Sequence, residues 1–329
     1  MRLIGLAVVL IVSLILAPLA VDAQRQAGKV YRIGFLGVAT AALYERQIEG
    51  LRVGLREHGY IEGRNVTIEF RWAEGRYDRL PELAAEIVRL NVDVIITHGT
   101  LGSLACKQAT STIPIVMAIA GNPVETGVVT SLARPGGNIT GSSFLYQEVN
   151  AKRVDLLKAT IPSLARVDVL VNPDNPPALV VAVRAIEQMG QALNVKVRPL
   201  EVRSLDELDA AFQVARAQTD AVVVTDEALF AGRGGAKRIA DVAMRNRMPT
   251  IGFTEFAEAG GLIGYGVDFP DIWRQSMALV DKILKGTKPA DLPIQQPTRF
   301  ELIINLKTAK ALGLTIPQTL LVRADHVIQ

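Results

Sequence analysis

The chain has 329 residues, 49% hydrophobic and 21% charged, with aromatic residues at 5%. That balance excludes general disorder and predicts about two domains with a core of Ala, Val, Leu and Ile. A net charge of +3 is too small for a nucleic-acid footprint. The single cysteine, Cys106, excludes a disulfide framework or cysteine zinc site, and His58, His98 and His326 show no metal spacing.

The first element is not part of a fold. Met1-Arg2 precedes an uncharged apolar run from Leu3 to Ala17, broken by Pro18. Small residues at Val21 and Ala23 complete a secretory signal cut after Ala23, so residues 1–23 are a signal peptide and the mature chain starts at Gln24. The alternative is a membrane anchor over Leu3–Val21, but Pro18 and Asp22 fit a cleavage region better than a span.

After it, Tyr31–Leu36 reads as a strand, and Ile48, Leu51 and Leu55 follow at helical spacing with Gly59 as a stop. Residues 65–70 alternate as a strand, and Asp78 opens a helix carrying Leu80, Leu83, Ile87 and Leu90. Val92–Thr97 is a nearly continuous β-branched run suited to burial on both faces. A short helix over Leu101–Ala109 and a strand over Pro114–Ala120 complete a β-α-β-α-β-α-β series. The order then recurs: strand 166–171, helix 178–193, strand 194–202, helix 205–217 behind a Ser204/Glu207 capping box, strand 221–225, helix 236–246 and a strand after Pro249. Equivalent landmarks lie 134 (Arg32, Arg166), 129 (Asn65, Asn194), 128 (Thr97, Thr225) and 135 (Pro114, Pro249) residues apart. That spacing predicts two doubly wound α/β lobes of similar topology, which bind ligands beyond the carboxyl ends of their strands.

Catalytic and nucleotide motifs are absent: no G-x-x-x-x-G-K-[ST], no complete G-x-G-x-x-G, no H-E-x-x-H and no G-x-S-x-G. His98 and the pair Asp226-Glu227 follow strands at the end where an active site would lie, so a secreted α/β enzyme using His98 and Asp226 as acid and base stands as the rival reading. Trp72 and Trp273 read as packing residues, and the basic, glycine-rich stretch 233–238 as a solvated loop. The recurrent strand-end residues are small and polar: Thr40, Gly99-Thr100, Asn122, Ser142-Ser143, Asn172, Asn175 and Asp226. Short hydroxyls, amides and helix-start N–H groups suit holding a ligand carboxylate more than turnover.

The stretches Gly50–Asn65 (GLRVGLREHGYIEGRN), Glu69–Arg76, Ser131–Gly141 (SLARPGGNITG), Ala259–Gly266 and Phe300–Gly313 together resemble the substrate-binding proteins of ABC transporters, in the branch of tryptophan and tyrosine binders. The resemblance implies a type I periplasmic-binding fold: two parallel-sheet lobes joined by a three-crossing hinge, with crossings near 141–144, 253–256 and 297–303. Lobe 1 is then 24–142 with 256–297, and lobe 2 is 143–255 with 298–329. It implies a periplasmic or otherwise extracytoplasmic, monomeric, non-enzymatic receptor without cofactor or metal, which captures a small ligand, such as an amino acid, in the interlobe cleft and passes it to an ABC permease. A sensor presenting ligand to a membrane kinase shares that fold. Thr225-Asp226 matches the family's Thr-Asp and makes Asp226 the candidate partner of a ligand ammonium. Asn122-Pro123 stands where many relatives carry Asp-Pro, and Tyr265 in the 259–266 stretch joins the candidate ligand contacts.

Overall fold

The computed structural model describes residues 29–329. The expected signal peptide and its cleavage point lie outside the described residues. Among those residues no helix is long and apolar enough to cross a membrane.

Two sheets form, each at the heart of one lobe. In lobe 1, β1 (Tyr31–Gly37), β2 (Val66–Trp72), β3 (Val94–His98), β4 (Ile115–Ala120) and β5 (Ile139–Ser143) are all parallel, in the order β2-β1-β3-β4-β5. Strands β3 and β4 are buried along their whole length, which explains their unbroken apolar runs. Helices α1 (Glu45–Glu57), α2 (Leu80–Arg89) and α3 (Gly99–Ala109) follow β1, β2 and β3, with Ile48, Leu51, Leu55, Leu80, Leu83 and Ile87 turned into the core.

Lobe 2 repeats the plan with α4 (Tyr146–Thr160), β6 (Arg166–Val171), α5 (Pro176–Ala192), β7 (Lys196–Glu201), α6 (Leu208–Gln218), β8 (Ala221–Val224), α7 (Gly232–Arg245), β9 (Thr250–Gly252) and α8 (Thr254–Glu258). Its first four strands are ordered β7-β6-β8-β9, the order of β2-β1-β3-β4 in lobe 1. The match extends to side chains: Thr97 Oγ1 donates to Leu36 O (3.0 Å) and Thr225 Oγ1 to Leu170 O (2.8 Å), each tying a strand end to its neighbour. The internal repeat in the sequence is therefore a repeat of topology. Residues 233–238 are the opening turns of α7 rather than a loop, and Arg238 pairs there with Asp209 (2.7 Å). Neither Asp78 nor Ser204 makes a side-chain cap.

Three passages link the lobes. The first, at 144–145, places Leu145 in the left-handed region (φ 54°) between β5 and α4. The second differs from the expected 253–256. β10 (Ile263–Gly266) pairs in parallel with β9 and antiparallel with β11 (Glu301–Asn305), so α8 and β10 belong to lobe 2. The chain returns to lobe 1 only at Val267–Asp268, where α9 (Phe269–Leu284) begins, capped by Asp268 through Asp271 N (3.1 Å). Helix α9 closes the lobe 1 core. It lies so near α1 that a Cβ on Gly54 would sit 2.2 Å from Arg274 O, which requires glycine at that contact. The third passage runs from Gln295, whose N–H donates to Gly141 O (2.9 Å), to β11. Helices α10 (Leu306–Leu312) and α11 (Gln318–Leu321) and strand β12 (His326–Ile328) finish lobe 2.

Candidate functional site

The carboxyl ends of both sheets face one another across a cavity between the lobes. From lobe 1 come Tyr44 and Gln47 after β1, His98, Gly99 and Thr100 after β3, Ile119 and Gly121 at β4, and Phe269 and Trp273 from α9. Lobe 2 contributes Asn175 and Ala178 after β6, the run Asp226–Ala228 after β8, and Ala231. Phe144 and Tyr146 stand at the first passage between the lobes.

The walls are aromatic. Trp273 is fully buried and packs 5.7 Å from Tyr44 and 5.1 Å from His98, while Phe144 meets Phe269 edge-on at 5.4 Å. Trp273 thus serves both core and cavity; Trp72 packs on Phe35 (5.1 Å) outside it. Such walls favour a flat apolar group on the ligand.

Two polar ends interrupt them. On lobe 1, α3 begins at Gly99 with φ +70°, a left-handed turn that glycine adopts without strain. Its N-cap, His98, supplies no side-chain cap, so the leading N–H groups of an 11-residue helix are left uncapped at Gly99 and Thr100, which line the cavity, where an anion could meet them. His98 is buried and neutral: desolvation lowers its pKa to about 3, and its Nε2 accepts the Val38 N–H at 3.2 Å.

On lobe 2, Asn175 Nδ2 donates to Glu227 Oε2 (2.8 Å), and this leaves Asn175 Oδ1 buried without a donor. It is the only such sealed, unpartnered side-chain atom among the described residues. A buried acceptor in this state is costly until a donor arrives. Glu227 also accepts from Tyr77 Oη, and burial raises its pKa against the opposing pull of those hydrogen bonds.

Sequence reasoning casts Asp226 as the counter-charge of a ligand ammonium, or as half of an acid–base pair with His98. The structure supplies its carboxylate with a cation from the protein. Arg153 of α4 donates Nη1 to Oδ2 (2.6 Å) and Nη2 to Oδ1 (2.8 Å), and both side chains are sealed. Asp226 still lines the cavity, but Arg153 holds both of its oxygens, and His98 is uncharged.

Of the ten candidate contacts, Gly99, Thr100, Asn175 and Asp226 line the cavity. The other six do not. Thr40 is half-buried and accepts Leu43 N–H through its carbonyl (3.2 Å). Asn122 folds back on Glu125, accepting its N–H at 3.3 Å. Ser142 bonds Ser276 (2.8 Å), Ser143 donates to Gly121 O (2.7 Å), and Asn172 accepts Asp174 N–H (2.9 Å). Tyr265 stacks on Phe300 while its carbonyl accepts Arg153. These hydroxyls and amides serve the turns that carry the site. Sequence reasoning missed Tyr44, Gln47, Phe144, Tyr146, Phe269 and Trp273 as lining residues, because they come from elements far apart in the chain that only folding brings together. Glu227 was visible beside Asp226 at the strand end.

The lobes are closed on one another. Tyr44 Oη donates to Ala228 O (3.2 Å), Gln47 Nε2 to Glu255 Oε1 (3.3 Å) and Arg46 to Glu258 (2.8 Å), all from lobe 1 to lobe 2. Arg184 of lobe 2 reaches Glu125 of lobe 1 (2.7 Å) on the other rim.

Known proteins share this architecture. A curated tyrosine-binding protein of Clostridioides difficile (strain R20291) is 26% identical over 87% of this chain and 82% of its own. A crystal structure of a conserved domain protein from Vibrio cholerae is 26% identical with TM-score 0.85, covering 91% of this chain and 100% of that one. An ABC domain in complex with L-Trp from Streptococcus pneumonia has the same identity and coverages and TM-score 0.83. The two lobes, their doubled topology and three passages are the type I periplasmic-binding fold. The family model for ABC transporter substrate binding protein matches residues 37–328, nearly the whole of what is described, and the chain belongs to that family.

Proposed function

We propose that this protein is the extracytoplasmic receptor of an ABC importer, secreted with Gln24 as its mature N-terminus, which closes on one aromatic amino acid and delivers it to a membrane permease. The observation that carries the reading is Asn175, a residue of the cavity wall whose Oδ1 has no donor in the ligand-free protein. A ligand ammonium supplies the missing proton donor, beside the carboxylates of Asp226 and Glu227. The opposite lobe offers the start of α3 to the ligand carboxylate, and Tyr44, Phe144, Phe269 and Trp273 enclose the side chain. Because the two charged ends of the ligand sit on different lobes, binding favours the closed form. The tyrosine and tryptophan in the names of the two relatives agree with this chemistry.

Calorimetric titration with L-tryptophan, L-tyrosine and L-phenylalanine, alongside analogues lacking the amine or the carboxylate, tests it. Each truncated analogue should bind at least about tenfold more weakly, since either loss leaves buried groups unpaired. An amine-free acid that binds as tightly as its parent amino acid refutes the assignment of Asn175.

A further inference from the structure

Gln47 divides the main cavity from an outer recess lined by Ala42, Glu45, Arg46, Glu255 and Glu258. Its side chain is almost sealed (2% exposed) and belongs to α1 of lobe 1. Nε2 donates to Glu255 Oε1 across the lobe boundary at 3.3 Å. Glu255 lines the recess and not the cavity. A carboxylate can only accept, so it draws the amide nitrogen to the recess side and turns Oε1 away from it. No described residue donates to Oε1, and it is not among the sealed unpartnered atoms, so the oxygen keeps accessible surface in a residue that lines the cavity.

Position along the sheet sets which end of the cavity this is. Asn175 follows β6 and Glu255 follows β9, with β8 between them. Two strand spacings of about 4.8 Å separate the two sites by about 10 Å. Gln47 therefore stands at the end remote from the ammonium site, where a ligand side chain terminates.

Resting on the amino-acid reading above, we propose that Gln47 is a specificity-determining residue: its Oε1, oriented by Glu255, accepts a hydrogen bond from the far end of the ligand side chain and selects an indole N–H or phenol O–H over a plain phenyl ring. Glu255 is a positioning residue and does not touch the ligand. The groups facing Glu255 are Arg46, which favours its charged form, and Glu258 and Asp268, which oppose it. Burial is the largest influence and pushes its pKa up to about 7, so the orientation is fullest above neutrality.

The test is calorimetry at pH 8 with L-tyrosine, L-tryptophan and L-phenylalanine, plus the amine-free pair 4-hydroxyphenylpropionate and phenylpropionate. The proteins are wild type, Gln47→Leu and Glu255→Gln, each checked for native melting. Wild type should prefer the donor-bearing member of each pair by at least about tenfold. Gln47→Leu should bring the ratio near one while phenylalanine binds as well or better. Glu255→Gln, which lets the Gln47 amide turn either way, should reduce the ratio with little change for phenylalanine. Equal binding of tyrosine, tryptophan and phenylalanine by wild type, or a ratio that survives Gln47→Leu, overturns the proposal while the amino-acid reading stands. Preference within the amine-free pair that vanishes in Gln47→Leu, with no amino acid bound, supports Gln47 and defeats the amino-acid reading. Failure of every compound to bind overturns both.

Discussion

Replacing Asp226 by asparagine probes the buried ion pair behind the lobe 2 face of the cavity. Arg153 and Asp226 are 0% and 1% exposed at their side chains. Beyond the two bonds to Asp226, the guanidinium donates to Tyr265 O (3.0 and 2.8 Å), Val224 O (3.2 Å) and Asn150 Oδ1 (3.2 Å), so it is fully engaged. All of these partners lie in lobe 2, and opening of the lobes leaves the network intact. If Asp226 awaited a ligand cation, Asp226→Asn would leave the ligand-free melting temperature unchanged or raise it. The ion pair reverses that sign. Asparagine keeps the shape but leaves a buried guanidinium without a counter-charge, and breaking a buried pair in this way costs about 3–5 kcal/mol. The surviving carbonyl bonds argue for the lower end, about 3 kcal/mol. At about 2–4 °C per kcal/mol for a chain of this order, Tm of the ligand-free protein should fall by about 6–12 °C. Differential scanning calorimetry of wild type, Asp226→Asn and the apolar double variant Arg153→Met/Asp226→Leu measures it. The double variant should recover at least half of the loss, because replacing the whole pair removes the stranded charge. A ligand-free Asp226→Asn protein that melts with wild type or above it refutes this account of the pair.

Three further outcomes are expected. Burial holds the Glu255 pKa at about 7 against an ordinary 4.5 in the closed form; if opening returns the side chain to solvent, ligand affinity should be highest below about pH 4.5 and fall by up to about 300-fold as pH rises to 8. Glu255→Gln should flatten most of that slope in titrations across the range, and an unchanged slope assigns the proton elsewhere. Tyr77→Phe removes a lobe 1 donor from Glu227 of lobe 2 and should weaken ligand binding about tenfold with little effect on ligand-free melting; equal affinity shows that the contact does not favour closure. Gly54→Ala places a methyl 2.2 Å from Arg274 O and should lower the urea midpoint by an equivalent of about 1–3 kcal/mol, despite alanine's better helix propensity; a raised midpoint means that α1 and α9 part without strain.

The parallel strands were legible because burial on both faces demands unbroken apolar runs, as in β3 and β4, and the repeated spacing carried the doubled topology. The second passage falls at Val267–Asp268 and not at 253–256. Its true place depends on β10, whose Ile-Gly-Tyr-Gly is too short and too rich in glycine to stand out, and which is a strand by virtue of its pairing with β9 and β11. At the site, strand-end position was enough to find Gly99, Thr100, Asn175 and Asp226. It could not reveal that Arg153, 73 residues earlier, already satisfies Asp226, nor that Gln47 meets Glu255 from 208 residues away. Pairings between distant elements leave no periodic mark on a chain.

The late return of α9 to lobe 1 has a consequence for how the polypeptide is made. Lobe 1 cannot fill its core until Trp273 arrives, nor tie Ser142 to its Ser276 partner, and both lie beyond every strand of its sheet in chain order. Contacts so distant along the chain form slowly. A ribosome that has released the five strands of lobe 1 has therefore released an unfinished object, and the same holds for lobe 2 until β11 and β12 emerge. Such a chain keeps both of its cores unfinished for most of its synthesis and completes them only when its last segments emerge.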